Sequence, residues 1–388
     1  MNSLRLLSCV IFVATLTMLV PRGLAQTPPT AAAPYKIVDS SQLMGTGRID
    51  YVSADSDGRR LYVPRGNQVL TFDLDTLKPL TPIPNLMGGH GVAVDPISGH
   101  AFSSSQPVII WDAKKLQTIK SVTVQGRPDG ILFEPFTERI YVFSHEAPNA
   151  TVLNGKDGSV VDTIDLGGAP EQATSDGQGH LYVDLEDKDS IAVVDVKTMK
   201  VTATYNLGGK GGGPGGLGLD AKNHILFAFC HQPATCVILS AVDGKILDTL
   251  PIGNGTDGGG FNPATMEAFS SQGDGTLTII KENSPTSFTI EQTVQTMPHA
   301  KTCALDTKTN HIIVIATDRP TPAPGTTNAP TTKTSIPPAP PMPPLPAPAT
   351  VTQTATNAPS IGTPGGPGDR RGGFGGGPAM LHILVVGR

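Results

Sequence analysis

Residues 127–168, RPDGILFEPFTERIYVFSHEAPNATVLNGKDGSVVDTIDLGG, decide the fold of this chain. The stretch holds four short apolar runs, separated by polar loops and by a Lys-Asp-Gly turn. Apolar runs of this length between turn residues are typical of β-strands joined by hairpins. The stretch therefore predicts one four-stranded antiparallel sheet.

The same unit recurs along most of the chain. An acidic residue or an asparagine closes its first strand each time, at intervals of 39 to 44 residues. Repeats of this length with four strand signals are typical of propeller blades. The second strand of several units is continuously apolar, as expected for a strand buried on both faces. We therefore predict an all-β fold, a seven-bladed β-propeller, whose markers are Asp55, Asp95, Glu134, Asp176, Asp220, Asn262 and Asp306.

The seventh unit supplies only two strands before its sequence changes character. An open ring would expose two sheet edges to pairing and aggregation, so the blade must be completed from elsewhere. The remaining strand signals are LHILVV at residues 381–386 and YKIVD at residues 35–39. We expect the C-terminal strand to be third and the N-terminal strand fourth in blade seven.

Residues 317–378 separate the two parts of blade seven. They are rich in Pro, Thr, Ala and Gly, a composition that cannot bury enough apolar surface to offset the entropy of ordering. We expect a disordered insertion within a hairpin of blade seven, either a solvated loop or a polyproline ligand for a partner or for a cell-wall polymer.

The N-terminus has the features of an export signal. Arg5 precedes an apolar run of about 15 residues and a Gly-Leu-Ala cleavage signature, so residues 1–25 are predicted to be removed. The apolar run is shorter than the ~20 residues needed to span a bilayer, and no transmembrane anchor is expected after cleavage. Residues 26–34 then form a linker to the propeller, residues 35–388. The predicted location is the periplasm or the medium.

The net charge of the chain argues against one class of partner. A formal net charge of -5 without any Lys/Arg cluster gives no general attraction for phosphate backbones, so nucleic acid is not an expected partner.

The cysteines of an exported chain can form disulfides. Cys230 and Cys236 flank a loop between two strands of one hairpin, and we expect them to be bridged.

Three triplets, Leu-Tyr-Val, Ile-Tyr-Val and Leu-Tyr-Val, resemble those of the YVTN-repeat seven-bladed propellers, which include exported YncE-like proteins. The resemblance covers about residues 35–316 and the last strand, and it implies the same fold. Such propellers include surface-layer proteins, lactonases and subunits of quinone-dependent dehydrogenases, so the resemblance implies no single activity. The triplets begin at Leu61, Ile140 and Leu181, and Pro64, Phe143 and Asp184 stand at the third position of the YVTN tetrapeptide.

Loops that enter the innermost strands of a propeller gather at one end of the central channel. Candidate residues there lie five positions before each marker, and His299 competes with Lys301 for the last place. His145 and His231, in equivalent hairpins of blades three and five, are candidates for the same rim. The predicted ring is Asp50, His90, Asp129, Glu171, Gly215, Asp257 and Lys301.

Crowded carboxylates favour a compensating cation. Calcium would suit the oxygen donors, whereas a zinc- or copper-type ion would require His90 and His299 to meet. Polar side chains at strand entrances also serve purely structural roles, so structure, ligand binding and catalysis all remain open. No G-x-S-x-G, H-E-x-x-H or C-x-x-C-H motif is present. The chain is predicted to be an exported binding or scaffold module for a protein, glycan or small ligand at the channel mouth; the alternative is a metal-assisted lactonase-like hydrolase or an oxidoreductase.

Overall fold

A computed structural model describes residues 32–147, 149–300, 302–318 and 378–388. The described residues form seven antiparallel sheets, one for each predicted blade. One 3-10 turn, Glu186–Lys188, occurs among the strands in this part of the chain. No described helix is long and apolar enough to cross a membrane. The predicted all-β, seven-bladed propeller is confirmed.

Blades one to four follow one another along the chain, with the innermost strand first. Blade one consists of β2 (Ser53–Asp55), β3 (Arg60–Arg65) and β4 (Gln68–Asp73); blade two of β5 (Val92–Asp95), β6 (His100–Ser103), β7 (Val108–Asp112) and β8 (Gln117–Val122); blade three of β9 (Pro128–Glu134), β10 (Arg139–Ser144), β11 (Ala150–Asn154) and β12 (Val160–Ile164); and blade four of β13 (Pro170–Ser175), β14 (His180–Leu185), β15 (Ser190–Asp195) and β16 (Lys200–Asn206).

The other three blades complete the ring. Blade five consists of β17 (Pro214–Asp220), β18 (Ile225–Cys230), β19 (Thr235–Ser240) and β20 (Ile246–Pro251); blade six of β21 (Thr256–Asn262), β22 (Glu267–Gln272), β23 (Thr276–Ser284) and β24 (Ser287–Gln295); and blade seven of β25 (Thr302–Asp306), β26 (His311–Asp318), β27 (Ala379–Gly387) and β1 (Lys36–Gly45).

Blade seven is closed by both ends of the chain. Its strand order is β25, β26, β27, β1, and β1 pairs with β27 from Lys36 opposite Gly387 to Gly45 opposite Ala379. The predicted closure by a C-terminal third strand and an N-terminal fourth strand is confirmed. Strand β26 continues to Asp318, beyond the predicted start of the insertion at residue 317. The predicted signal peptide, most of the linker and residues 319–377 of the insertion lie outside the described residues.

Blade one departs from the four-strand pattern among its described residues. Its outer segment forms isolated bridges with β4, Val69 with Ile83 and Phe72 with Pro79, and adds a backbone hydrogen bond from Leu80 N–H to Thr71 O at 2.8 Å. The segment reads KPLTPIP at residues 78–84. Proline has no N–H to donate to a ladder, so this edge pairs without a regular strand.

The marker residues terminate the innermost strands and hold the turns that follow them. Glu134, for example, accepts hydrogen bonds from the backbone N–H groups of Phe136 and Thr137 at 2.9 and 2.8 Å. Such side-chain-to-backbone bonds take the place of ladder bonds where a strand ends. This is why an acidic residue or an asparagine recurs once in every blade.

The core lies between neighbouring blades. In β10, Tyr141 and Phe143 pack towards blade four, whereas Ile140 and Val142 pack towards blade two. Complete burial of such a side chain contributes about 1.5–3 kcal/mol. Both faces of a second strand therefore require apolar residues, which accounts for its uninterrupted apolar sequence.

The predicted disulfide between Cys230 and Cys236 is wrong. In the pairing of β18 with β19, Cys230 lies opposite Thr235, and Cys236 lies opposite Phe229. Successive side chains of a strand point to opposite faces, so the two thiols lie on different sides of the sheet. Cys230 belongs to the core shared with blade four and Cys236 to the core shared with blade six, and both are free.

Candidate functional site

Five ionisable side chains from the first four blades meet at the end of the channel where the innermost strands begin. Two imidazoles alternate with three carboxylates. His90 Nδ1 lies 2.7 Å from Asp50 Oδ2 and 3.0 Å from Asp129 Oδ1. His145 Nε2 lies 3.1 Å from Asp129 Oδ2 and 3.2 Å from Glu171 Oε1. Asp129 thus directs one oxygen to each imidazole, and we call these five residues the mouth cluster.

The strand pattern explains why these side chains converge. Asp50, His90, Asp129 and Glu171 each lie five positions before the marker of their own blade. Equivalent positions in successive blades occupy equivalent places around the axis of a propeller. His145 comes from the loop after β10, beside β9 of its own blade. The mouth cluster therefore combines four ring positions with one hairpin residue.

Tyr51 adds a sixth side chain that the sequence analysis missed. Its hydroxyl donates to Glu171 Oε2 at 2.7 Å, linking blade one to blade four. Burial, and then the charges of Glu171, Asp129 and Asp257, raise the pKa of Tyr51 well above its usual value. Tyr51 thus remains a protonated donor at neutral pH. It directly follows ring residue Asp50 and precedes strand β2, so strand alternation gave no reason to place both side chains at the mouth.

The carboxylates change the protonation of His90. Burial lowers the pKa of this imidazole, but the hydrogen bonds and charges of Asp129 and Asp50 outweigh burial and raise the pKa to about 9. His90 is therefore positively charged at neutral pH when no other cation is bound. The positive charge offsets part of the negative charge of the cluster.

A cavity of about 260 Å³ occupies the channel beside the mouth cluster. Tyr51 and Glu171 form part of its wall together with Gly91, Ile131 and Cys303. Two of the polar residues at the mouth are therefore accessible to a small molecule in the channel.

Glu171 and Gln172 lie at an irregularity in blade four, where the pairing of β13 with β14 shifts between residues 170 and 173. Such an irregularity re-aims side chains. Gln172 Oε1 accepts from the backbone N–H groups of Leu217 and Gly259, both at 3.0 Å, and its Nε2 donates to Gly259 O at 2.8 Å. Glu171 therefore belongs to the mouth cluster, whereas its neighbour Gln172 joins blade four to blades five and six.

Blades five and six approach each other closely at the channel. A Cβ atom added at Gly216 would lie 2.8 Å from the carbonyl carbon of Gly258, and one added at Gly218 would lie 2.8 Å from Gly260 O. The glycines of β17 and β21 therefore permit close packing of two innermost strands. This side of the ring has little room for side chains, and the mouth cluster is formed by blades one to four.

The other described residues that were predicted for the site do not belong to the mouth cluster. Asp257 is half-buried, and its charge reaches Tyr51. His299 is exposed, and its backbone N–H donates to Gly273 O at 2.8 Å. His231 lies against the blade five loop, where a Cβ at Gly215 would come 2.8 Å from its Nε2. Lys301 lies outside the described residues.

Two groups of three potential metal ligands occur within the described residues. They are Asp50, His90 and Asp129, and Asp129, His145 and Glu171. Neither group includes Asp257, His231 or His299. The imidazole that shares a carboxylate with His90 is therefore His145, and His299, which a zinc- or copper-type site was expected to require, is in neither group.

Comparison with solved structures identifies the fold. The chain is similar to the WD40 repeats of RRP9, with a TM-score of 0.59 at 11% identity over 70% of this chain and 89% of that one. It is also similar to a chain of the Mitotic Checkpoint Complex, with a TM-score of 0.64 at 10% identity over 78% of this chain and 95% of the other. Neither a protein-family model nor a curated protein matches the sequence. The likeness at these identities concerns the propeller fold alone.

Proposed function

We propose that this chain is an exported binding module that holds a divalent cation at the channel mouth and, through it, a small polar ligand. The mouth cluster carries the proposal. Each of two imidazoles lies within hydrogen-bonding distance of two carboxylates, and the five side chains come from four blades, although neutral residues would be sufficient for packing at a strand entrance. The cost of gathering like charges is offset when a cation binds between them.

The donor set favours one class of ion. Calcium prefers six to eight oxygen ligands, whereas zinc, manganese and similar ions accept imidazole nitrogen together with carboxylate oxygen. His90 and His145 each present a ring nitrogen beside two carboxylates. The ion is therefore a first-row divalent metal rather than calcium.

Features of the sequence support export and a binding role. Residues 1–25 have the charge, apolar run and cleavage signature of a signal peptide. The Leu-Tyr-Val and Ile-Tyr-Val triplets resemble those of exported YVTN-repeat propellers. Export through such a signal would place the mouth cluster in the periplasm or outside the cell. A protein or a glycan could dock on the same rim.

A second candidate function is metal-assisted hydrolysis, for example of a lactone. The observation in its favour is the cavity beside the cluster, whose wall includes the hydroxyl-bearing Tyr51 next to Glu171. A bound metal polarises a carbonyl or activates water, and a protonated tyrosine can donate a hydrogen bond to developing negative charge. Turnover of simple lactones only by the metal-loaded protein would favour this function over binding alone.

The test is the thermal stability of purified, chelator-treated protein with added Zn²⁺, Mn²⁺ or Ca²⁺. A ligand at 100 times its Kd stabilises the native state by about 2.7 kcal/mol, so we expect Tm to rise with Zn²⁺ or Mn²⁺. Asp129→Asn should remove most of the rise, because Asp129 contacts both imidazoles.

The matched control is His180→Gln. His180 also pairs with a carboxylate, at 2.8 Å from Asp176, but it lies elsewhere on blade four. This variant should keep the full response to metal. If no divalent ion changes the Tm of the wild-type protein, the proposed function is wrong and the mouth cluster is structural.

A further inference from the structure

We infer that the mouth cluster is a dinuclear centre, in which Asp129 bridges two divalent cations. The inference rests on the proposed function, since it assumes that the cluster binds metal. It adds the number of ions, the ligands of each ion and the residue that joins them.

Each imidazole of the mouth cluster has two carboxylate neighbours at one ring nitrogen. A ring N–H can donate only one strong hydrogen bond, yet His90 Nδ1 faces two carboxylate oxygens, at 2.7 and 3.0 Å. His145 Nε2 likewise faces two, at 3.1 and 3.2 Å. Adjacent ligands of an ion with metal–ligand bonds of about 2.1 Å lie roughly 3.0–3.4 Å apart. Three of the four contacts, at 3.0–3.2 Å, match this spacing, whereas the 2.7 Å contact of His90 with Asp50 has the length of a hydrogen bond and would lengthen when an ion binds.

The potential ligands divide into two equivalent groups. The two groups have the same composition, one imidazole and two carboxylates, and share only Asp129. They use different atoms of it, because Oδ1 faces His90 and Oδ2 faces His145. A carboxylate that offers one oxygen to each of two metals is the bridge expected in two-metal sites, where the ions lie about 3.5–4 Å apart. A single ion bound by one group would leave the other group without a cation.

The charge of the mouth cluster also favours two ions. Asp50, Asp129 and Glu171 carry three negative charges when ionised, so one divalent ion leaves the cluster negative. A second ion brings the net charge to +1, and the carboxylate of Asp257, whose charge also reaches Tyr51, offsets it.

The experiment counts ions in the full chain. Chelator-treated protein is titrated with Mn²⁺ by calorimetry, the bound metal is measured by elemental analysis, and the loaded protein is examined by electron paramagnetic resonance. We expect two Mn²⁺ per chain and a spectrum broadened by coupling between neighbouring ions. His90→Ala and His145→Ala should each leave one tightly bound ion and abolish the coupling. Asp129→Asn should weaken both sites at least tenfold, and His180→Gln should change neither.

The outcomes separate the two proposals. One ion per chain with an uncoupled spectrum overturns the dinuclear centre and leaves the proposed metal-binding function intact. No bound ion in the wild-type protein overturns both. Two ions without spin coupling also overturn the bridge, because they would show that the ions are not neighbours. The wild-type count and spectrum are decisive even if a variant fails to fold.

Discussion

The Arg59 guanidinium donates hydrogen bonds to both carboxylate oxygens of Asp306, at 2.8 and 2.9 Å, and so joins blade one to blade seven. Asp306 is nearly buried, with 3% of its side chain exposed, so its carboxylate is shielded from solvent. Burial raises the pKa of Asp306, but hydrogen bonds from Arg59 and Thr309 outweigh it and hold the pKa at about 2. The pair lies where the first and last blades of the ring meet.

Replacing this arginine should weaken the seam between the first and last blades. Arg59→Ala leaves a buried carboxylate without its charged partner, and hydrogen bonds to charged groups contribute about 1.5–3 kcal/mol. We expect a loss of that size in the free energy of unfolding at pH 7, measured with urea. Arg127→Ala, at an exposed arginine, should cost less than about 0.5 kcal/mol.

The seam should also depend on pH in one direction. The folded-state pKa of Asp306 lies below its usual 3.8, so its contribution is complete above pH 3.8 and is lost as the pH falls through about 2. The stability difference between the wild type and Arg59→Ala should therefore shrink towards pH 2. A difference that is constant from pH 7 to pH 2 would show that the ion pair does not cause it.

Closure of the ring should require the C-terminal strand but not the length of the segment before it. Deleting residues 381–388 leaves β26 and β1 without the strand between them and exposes both edges. It also removes Arg388, which pairs with Glu267 and Glu291 of blade six. We expect this truncation to lower Tm strongly and promote aggregation.

Replacing residues 320–376 with a short Gly/Ser linker provides the comparison. The entropy of closing a loop grows only logarithmically with its length, so Tm should change little. Melting of the two variants side by side checks the order of stabilities. A stable truncation together with an unstable linker variant would contradict the closure shown by the strand pairing.

The close approach of blades five and six should make Gly218 intolerant of a side chain. A Cβ added there would lie 2.8 Å from the backbone oxygen of Gly260, which cannot move as a side chain can. Overpacking of this kind costs about 1–3 kcal/mol, so Gly218→Ala should be destabilising in urea. At Gly273 the nearest atom would lie 3.3 Å away, and the matched Gly273→Ala should cost clearly less.

The cysteines should be free and unreactive in the folded protein. Burial raises the pKa of the Cys230 and Cys236 thiols, and it raises that of Cys303 to about 11. We expect peptide mapping without reduction to recover Cys230 and Cys236 as free thiols, and a reducing agent to leave Tm unchanged. Alkylation of Cys230 and Cys236 should proceed only after denaturation. A bridged peptide containing both residues would contradict the strand register.

The sequence by itself determined the ring. Spacing of the markers fixed the number of blades, and the uninterrupted apolar second strands predicted burial on both faces. The two unpaired strand signals at the chain ends had to complete blade seven, because an open ring would leave exposed edges. Each of these inferences depends on local pattern or on counting strands, which a repeated sequence carries directly.

Only the tertiary structure decided which side chains contact one another. The hairpin of Cys230 and Cys236 was visible in the sequence, but only its register placed the thiols on opposite faces. The ring positions of Asp50, His90, Asp129 and Glu171 followed from spacing, whereas Tyr51 joined them because the chain before β2 does not alternate as a strand does. His145, rather than His299, shares Asp129 with His90 because the loop after β10 brings it there. Loop conformation and register depend on contacts between distant segments, and no local pattern in this chain encodes those contacts.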